Sequence, residues 1–208
     1  MTVGSGGSGV PPYVEGHRLL AGKTVLVTAA AGTGIGFSTV TRCVEEGAAG
    51  IVLSDRHERR LAESVKQLSD GAGSATVVGV PCDVTVEEDV QRLFATAVDE
   101  LGHVDVVVNN AGLGGTANLV DMTDQQWSVV LDVTLNGTFR CTRAALRHML
   151  PRQTGVIVNN ASVLGWRAQA GQAHYAATTR HDVRSIAYGN WGVSFKVERV
   201  YMFVPKAP

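Results

Sequence analysis

Short apolar runs alternate along the chain with amphipathic stretches of helical length. Five runs have the Val and Ile content of strands buried on both faces, and they lie at residues 24–28, 51–54, 75–80, 104–109 and 155–161. Four amphipathic stretches lie among them, at residues 35–46, 58–70, 86–101 and 123–150. This regular alternation predicts an α/β fold with a doubly wound parallel sheet and helices on both faces.

The composition narrows the class of protein. A length of 208 residues suits a single domain, which we expect at residues 21–208 after a disordered tail over about residues 1–20, because the start of the chain is rich in Gly, Ser and Pro. A net charge of −1 with 18% charged residues argues against nucleic acid or an anionic membrane as the main partner.

The cysteines and the apolar runs indicate a compartment. Cys43, Cys82 and Cys141 lack the spacing of metal ligands and fit buried thiols in a reducing compartment, so no metal site is expected. No apolar run reaches the roughly 18 residues that a membrane span needs. We therefore expect a cytoplasmic enzyme.

A loop of small residues follows the first predicted strand and contains Gly32, Gly34 and Gly36. A helix N-terminus carries unpaired N–H groups and about half a positive charge, and glycines let a pyrophosphate approach the backbone closely. The spacing G-x-G-x-G differs from the G-x-G-x-x-G fingerprint of dinucleotide sites. By itself, the loop is equally well interpreted as a tight turn from strand to helix.

Small or polar residues stand at all five predicted strand ends. After the glycine loop come Ser54-Asp55-Arg56, Cys82-Asp83-Val84, Asn109-Asn110-Ala111-Gly112 and Asn159-Asn160-Ala161-Ser162. Parallel sheets bind ligands at the carboxyl ends of their strands. Asp55 lies about twenty residues beyond the loop, where a carboxylate can accept hydrogen bonds from an adenosine ribose, although an isolated Asp there is also a common helix N-cap.

Ser162 and Tyr175 are the candidate catalytic residues. Tyr175 lies thirteen residues after Ser162, at the predicted start of a helix. The serine can donate a hydrogen bond to a carbonyl oxygen while the tyrosine supplies a proton as hydride reaches the carbon. Taken singly, Ser162 also fits a turn cap and Tyr175 a core aromatic residue.

As an ordered set, these elements resemble the short-chain dehydrogenase/reductase family over roughly residues 20–178. The loop TAAAGTGIG and the stretch NNASVLGWRAQ resemble actinobacterial members linked to steroid-ring or acyl-CoA breakdown. The resemblance implies a Rossmann-type fold that binds NAD, with NADP possible, and Ser162 and Tyr175 as catalytic residues. The cofactor-binding residues that it implies are Thr28, Gly32, Thr33, Gly34, Ile35, Gly36, Asp55, Arg56, Asp83, Val84, Asn110, Ala111, Gly112 and Tyr175. Asp55 favours NAD because a carboxylate repels a 2′-phosphate, and Arg56 softens that preference.

The chain departs from the family pattern at several positions. Ala29 stands where the loop of the family usually has Gly. Thr179 replaces the lysine that holds the nicotinamide ribose and lowers the pKa of the phenol. Thr134 replaces an asparagine that holds a water in the proton relay of the family.

The residues after Thr178 also depart from the family pattern. They lack the alanine-rich helix that the family has there, and they hold one strand candidate, at residues 193–204. We therefore expect an atypical C-terminus from about residue 179, with the last helix and strand of the family missing or altered. A truncated or frame-disrupted gene product, or an alternative terminus, fits this pattern.

Two functional hypotheses follow from these observations. The leading one is an NAD(P)-dependent oxidoreductase that transfers hydride between the cofactor and a secondary alcohol or ketone of the lipid, steroid or acyl-CoA class. Two copies are expected to pair through the predicted helix 123–150. The alternative is a catalytically impaired relic that binds a dinucleotide without turnover, because the active-site lysine is replaced.

Overall fold

A computed structural model describes residues 13–167 and 169–182, and it contains a five-stranded parallel sheet. The strands are β1 (Thr24–Thr28), β2 (Gly50–Asp55), β3 (Thr76–Pro81), β4 (Val106–Asn109) and β5 (Val156–Asn159). The helices are α1 (Ile35–Glu45), α2 (Glu58–Gly71), α3 (Glu87–Leu101), α4 (Asp124–Leu131), α5 (Gly137–Arg152) and α6 (Ala173–Asp182). The sheet order β3-β2-β1-β4-β5 confirms the predicted Rossmann-type doubly wound fold.

The predicted strands and helices agree with the structure to within two residues at each end. The single helix predicted at residues 123–150 differs, because a π-helical turn (Asp132–Asn136) separates α4 from α5. The strand candidate at residues 193–204 lies outside the described residues. None of the helices in the described part of the chain is long and apolar enough to cross a membrane.

Apolar side chains pack on both faces of the sheet. Leu26 of β1 belongs to a cluster that includes Leu93 of α3 and Ala145 of α5. Val25 on the opposite face belongs to a cluster with Val40 of α1. All five residues of β1 are buried, so this strand is covered on both faces and its sequence lacks the alternation of apolar and polar residues seen in half-exposed strands.

Residues 13–20 contact the C-terminal end of α1. The carboxylate of Glu46 accepts hydrogen bonds from the N–H groups of Leu19 (3.1 Å) and His17 (2.8 Å), and it pairs with Arg42 at 2.6 Å. These contacts lower the pKa of Glu46. Residues 13–20, which the sequence assigns to a disordered tail, thus make defined contacts with α1 and Glu46, while residues 1–12 lie outside the described residues.

A buried carboxylate joins the strands at the amino edge of the sheet. The Oδ2 atom of Asp105 accepts a hydrogen bond from the Thr24 N–H (3.2 Å), and its Oδ1 atom accepts one from Arg152 (3.1 Å). The Nε2 atom of His103 lies 3.2 Å from Oδ2. Burial alone raises the pKa of Asp105, but the N–H of Thr24 and the guanidinium of Arg152 outweigh it and lower the pKa. The folded state therefore favours the charged form of this side chain.

Replacing Asp105→Asn is expected to lower the free energy of unfolding at pH 7 by about 2 kcal/mol, since hydrogen bonds to a charged group are lost. The folded pKa lies below the unfolded value of about 3.9, so the carboxylate stabilises the fold above that pH and loses this effect as the pH falls. Urea unfolding between pH 7 and pH 3 measures both effects. As the pH falls below about 4, the free energy of unfolding should decrease less for the variant than for the wild type. Asp99→Asn, at an exposed position, serves as the control. Parallel pH profiles for wild type and Asp105→Asn would contradict this account.

The turn from β1 to α1 contains a residue in an unfavourable conformation. Ala29 has a φ of 50°, in the left-handed region that favours glycine. This position is the one where the family usually has Gly, so the sequence departure has a conformational cost in the fold.

Replacing Ala29→Gly is expected to raise the free energy of unfolding by about 1 kcal/mol, because the left-handed strain is relieved. Ala31→Gly is the matched control, because residue 31 is not among those with positive φ. Glycine at that position therefore relieves no strain and only increases the conformational entropy of the unfolded chain. Thermal and urea unfolding of both variants test this. Destabilisation by Ala29→Gly equal to that of Ala31→Gly would show that the strain is negligible.

Candidate functional site

The carboxyl ends of the five strands form one edge of the sheet. The chain runs outward from β1 to β3 on one side and from β4 to β5 on the other. The direction of winding therefore reverses between β1 and β4, which pair in parallel. In sheets of this topology the crevice at the reversal is the general ligand site.

A cavity of about 260 Å³ lies at this edge. Six predicted cofactor-binding residues line it: Asp55, Arg56, Asp83, Val84, Ala111 and Gly112. A second cavity of about 380 Å³ shares Arg56 and Asp83 with the first and extends to Arg92 of α3. The structure thus brings together residues from the ends of β2, β3 and β4, as the sequence predicts.

The glycine loop leads directly into α1, whose N-cap is Gly34. A Cβ atom on Gly36 would lie 2.3 Å from the carbonyl oxygen of Ala29, so only glycine permits this close approach of helix and strand. Gly32 and Gly34 face open space instead. Thr33 and Ile35 are exposed beside them. An anion can therefore approach the backbone at Gly32 and Gly34 before the N-terminus of α1, which fits a pyrophosphate.

Asp55 connects the end of β2 to the glycine loop. Its Oδ2 accepts a hydrogen bond from the Ala31 N–H (3.3 Å), and its Oδ1 accepts one from the His57 N–H (2.9 Å). A carboxylate has about four acceptor positions, so capacity remains for ribose hydroxyls. The helix N-cap is His57 rather than Asp55.

Thr28 and Asn110 hold the loop beside the end of β4. The hydroxyl of Thr28 accepts hydrogen bonds from the N–H groups of Asn110 (2.9 Å) and Ala111 (3.0 Å). The side chain of Asn110 donates to the carbonyl oxygens of Thr28 (3.1 Å) and Ala29 (3.0 Å). The amide of Asn110 therefore holds backbone, whereas Ala111 and Gly112 line the cavity.

Asp83 organises the turn after β3. Its Oδ1 accepts hydrogen bonds from both the N–H (2.9 Å) and the hydroxyl (2.7 Å) of Thr85, and its own N–H donates to Asp89 (3.0 Å). These bonds fix the backbone that presents Asp83 and Val84 to the cavity.

Ser162 is the N-cap of a 3₁₀ turn (Val163–Gly165), Tyr175 lies in α6, and these two elements pack together. The Ser162 hydroxyl caps the turn by accepting a hydrogen bond from the Leu164 N–H (3.2 Å). The O–H of Ser162 remains a donor, because this cap uses only a lone pair. Tyr175 is half-buried in the first turn of α6.

Thr179 stands one helical turn after Tyr175 and is buried. Its hydroxyl donates back to the Tyr175 carbonyl oxygen at 2.9 Å. The side chain therefore satisfies its polar group within its own helix and supplies no positive charge.

Thr134 occupies the π-helical turn and binds the loop after β4. Its hydroxyl accepts a hydrogen bond from the Leu113 N–H (3.1 Å) and donates to the Leu113 carbonyl oxygen (3.3 Å). π-helical turns often mark functional sites. The departure at Thr134 thus has a structural role, which is to fix the loop that borders the cavity.

Sequence reasoning missed several residues of the site. Ser64 of α2 is buried and accepts a hydrogen bond from the Gly32 N–H at 2.9 Å. A detectable signal exists, because Ser64 interrupts the apolar stripe formed by Leu61 and Leu68. The remaining missed residues line the first cavity: Ala29, Ala31, His57, Arg60, Cys82, Leu113 and Val133.

Burial makes the cysteine at this edge unreactive. Burial raises the pKa of the Cys82 thiol to about 11. Within residues 13–167 and 169–182, no group of three His, Cys, Asp or Glu side chains is arranged to hold a metal ion.

Comparison with known proteins places this geometry in a family. The short chain dehydrogenase family model matches residues 23–184. The chain is 55% identical over 168 residues to a (5R,7aS)-5-hydroxy-7a-methyl-1-oxo-2,3,5,6,7,7a-hexahydro-1H-indene-carboxyl-CoA reductase of Mycobacterium tuberculosis, covering 80% of this chain and 63% of that protein. It is 43% identical to the short-chain reductase protein NovJ of Streptomyces niveus, covering 74% of this chain and 57% of that protein.

A solved structure gives the same result. The crystal structure of a short chain dehydrogenase from Mycobacterium smegmatis matches with a TM-score of 0.81 and 55% identity, covering 84% of this chain and 72% of that one. The chain thus spans about three fifths of the length of the two curated relatives. The match to the family model, the two relatives and the solved structure show that the chain belongs to the short-chain dehydrogenase family.

Proposed function

We propose that this chain binds NAD(H) at the carboxyl edge of its sheet and forms the catalytic part of an oxidoreductase that acts on a secondary alcohol or ketone. The observation that carries the proposal is the convergence of the open glycine loop, Asp55 and Asp83 on one crevice. When bound, the nicotinamide supplies or accepts the hydride. The other steps depend on side chains of this chain.

The proposed roles follow from the hydrogen-bonding capacity of each group. Gly32, Gly34 and Ile35 present backbone to the pyrophosphate, with Thr28, Thr33 and Gly36 shaping the loop. The Asp55 carboxylate accepts hydrogen bonds from the adenosine ribose, and Arg56 lies beside the same ribose as a donor. Asp83 and Val84 border the adenine, and Asn110, Ala111 and Gly112 follow the second ribose. Ser162 donates its O–H to the substrate oxygen, and Tyr175, beside the nicotinamide ribose, moves the proton at the same oxygen.

We favour NAD over NADP for the cofactor. A 2′-phosphate would lie near the Asp55 carboxylate and be repelled at short range. The same cavity is lined by Arg56, His57 and Arg60. The two arginines weaken the preference for NAD, because a guanidinium donates strong hydrogen bonds to a phosphate.

The proposed substrate is a hydroxy or keto compound linked to coenzyme A. The name of the 55% identical relative describes a bicyclic carboxyl-CoA reductase, which supports this class. We also propose that two copies pair through the α4–α5 region, where Trp127, Val129 and Phe139 are exposed apolar side chains.

The activity is tested by following NADH and NADPH oxidation at 340 nm with cyclic ketones and their CoA esters. We expect turnover with NADH to exceed that with NADPH, and Tyr175→Phe to reduce kcat by at least about 100-fold, in line with loss of an acid–base group. Turnover of the wild type no faster than that of Tyr175→Phe would defeat the enzyme proposal.

A second candidate function is dinucleotide binding without turnover, favoured by Thr179. Its hydroxyl is bonded within its own helix, so no cation stabilises a phenolate at Tyr175 from this position. Alcohol oxidation, which needs a phenolate base, should suffer more than ketone reduction, in which the phenol donates its proton.

Replacing Thr179→Lys distinguishes the two functions. If the chain is an enzyme weakened at this position, we expect alcohol oxidation to rise by about tenfold or more, since a close cation is worth about one to three pKa units. Thr179→Met controls for side-chain length without charge. Equal rates for the Lys and Met variants would favour the non-catalytic function.

A further inference from the structure

A ladder of two asparagine side chains crosses the site. The Nδ2 of Asn160 donates to the Oδ1 of Asn110 at 2.8 Å. The Nδ2 of Asn110 in turn donates to the carbonyl oxygens of Thr28 (3.1 Å) and Ala29 (3.0 Å). The ladder therefore runs from the end of β5 to the first residues of the glycine loop.

The strand register places the two asparagines opposite each other. Asn109 pairs with Asn159 at the ends of β4 and β5, and the Asn160 N–H donates to the Asn109 carbonyl oxygen at 2.9 Å. Residues 110 and 160 are thus the next opposed pair beyond the last paired residues of β4 and β5. Their side chains are in direct contact through the 2.8 Å hydrogen bond.

The amide of Asn110 has little freedom to move. Both of its donor hydrogens are used by backbone carbonyls and its oxygen receives Asn160. A Cβ atom on Gly36 would lie 2.7 Å from its Nδ2, so α1 closes over the amide. Without Asn160, the oxygen of Asn110 loses the donor that fixes its orientation.

We propose that Asn160 is a positioning residue that couples the glycine loop to Ser162, an inference that rests on the proposed function. Asn160 precedes Ser162 by two residues on the same strand end and acts on the loop through Asn110. It therefore holds the carbonyls of Thr28 and Ala29 at a fixed distance from the end of β5. The loop that receives the pyrophosphate and the serine that orients the substrate are set relative to each other by this contact.

The direct test is a double-mutant cycle on NADH affinity, measured by calorimetry. Loss of one hydrogen bond predicts that Asn160→Ala weakens NADH binding by about 3- to 10-fold. Because Asn160 acts through Asn110, the double variant Asn110→Ala/Asn160→Ala should bind no more weakly than Asn110→Ala alone. Additive losses, or an unchanged dissociation constant for Asn160→Ala, would overturn the proposal.

A second measurement does not depend on cofactor or turnover. Amide hydrogen exchange at Ala30 and Ala31, whose N–H groups bond to Ser54 and Asp55, should be several-fold faster in Asn160→Ala than in the wild type. Asn118→Ala is the matched control, because its exposed amide bonds to Asp121 within its own turn. Unchanged exchange at both amides would overturn the proposal. If Asn160→Ala fails to fold, the isosteric Asn160→Asp removes the same donor.

Kinetics separate a positioning role from a purely structural one. In the ketone-reduction assay, Asn160→Ala should lower kcat in the wild-type background and leave it unchanged in a Ser162→Ala background. An equal fall in both backgrounds contradicts coupling through Ser162. A wild type that turns over no faster than Tyr175→Phe defeats the proposed function alone, and hydrogen exchange then still decides the role of Asn160.

Discussion

The pairing of β1 with β4 is the constraint on which the site depends. It brings the glycine loop beside the end of β4, where the hydroxyl of Thr28 accepts two backbone N–H groups and the amide of Asn110 holds two carbonyls. The Thr28 side chain is buried, and a hydrogen bond away from water is electrostatically stronger than one in water. The crevice has its shape because the strand and the loop are fixed to each other at this point.

Backbone strain and the closest packing in this arrangement occur at two residues. Ala29 adopts a left-handed backbone conformation, and Gly36 is packed where no side chain fits. The N-terminus of α1 stays open because a Cβ atom at Gly32 or Gly34 would have no neighbour within 4 Å, and N–H groups at a helix N-terminus lack intrahelical partners. Local strain and close packing of this kind are typical of functional loops.

The sheet was predictable from the sequence, as was the gathering of six predicted cofactor-binding residues around one cavity, because both depend on local patterns. β1 and β2 are buried almost throughout, as their continuous apolar runs predict, whereas β3 and β5 have exposed positions despite their Val and Ile content. Small or polar residues follow each strand. The roles of single side chains were harder to predict from the sequence, because they depend on which residues the strand register places opposite each other. The expectation that Asn110 lies along a ribose did not reveal that its amide also holds the loop, and the π-helical turn at Thr134 leaves no mark in the 3.6-residue period. Ser64 is the exception, because a polar residue within an apolar stripe is a readable signal.

The departures from the family pattern bear on the proposed catalysis more than on the proposed cofactor binding. Thr134 bonds both backbone groups of Leu113, whereas Thr179 turns its hydroxyl into its own helix and leaves Tyr175 without a nearby cation from that position. The central claim is that the strand ends form a dinucleotide site, and a crystal structure with NAD tests it most directly. We predict the pyrophosphate at the N–H groups of Gly34 and Ile35, with the adenosine between Asp55 and Asp83. A dinucleotide bound elsewhere, or none at saturating NAD, would contradict the account.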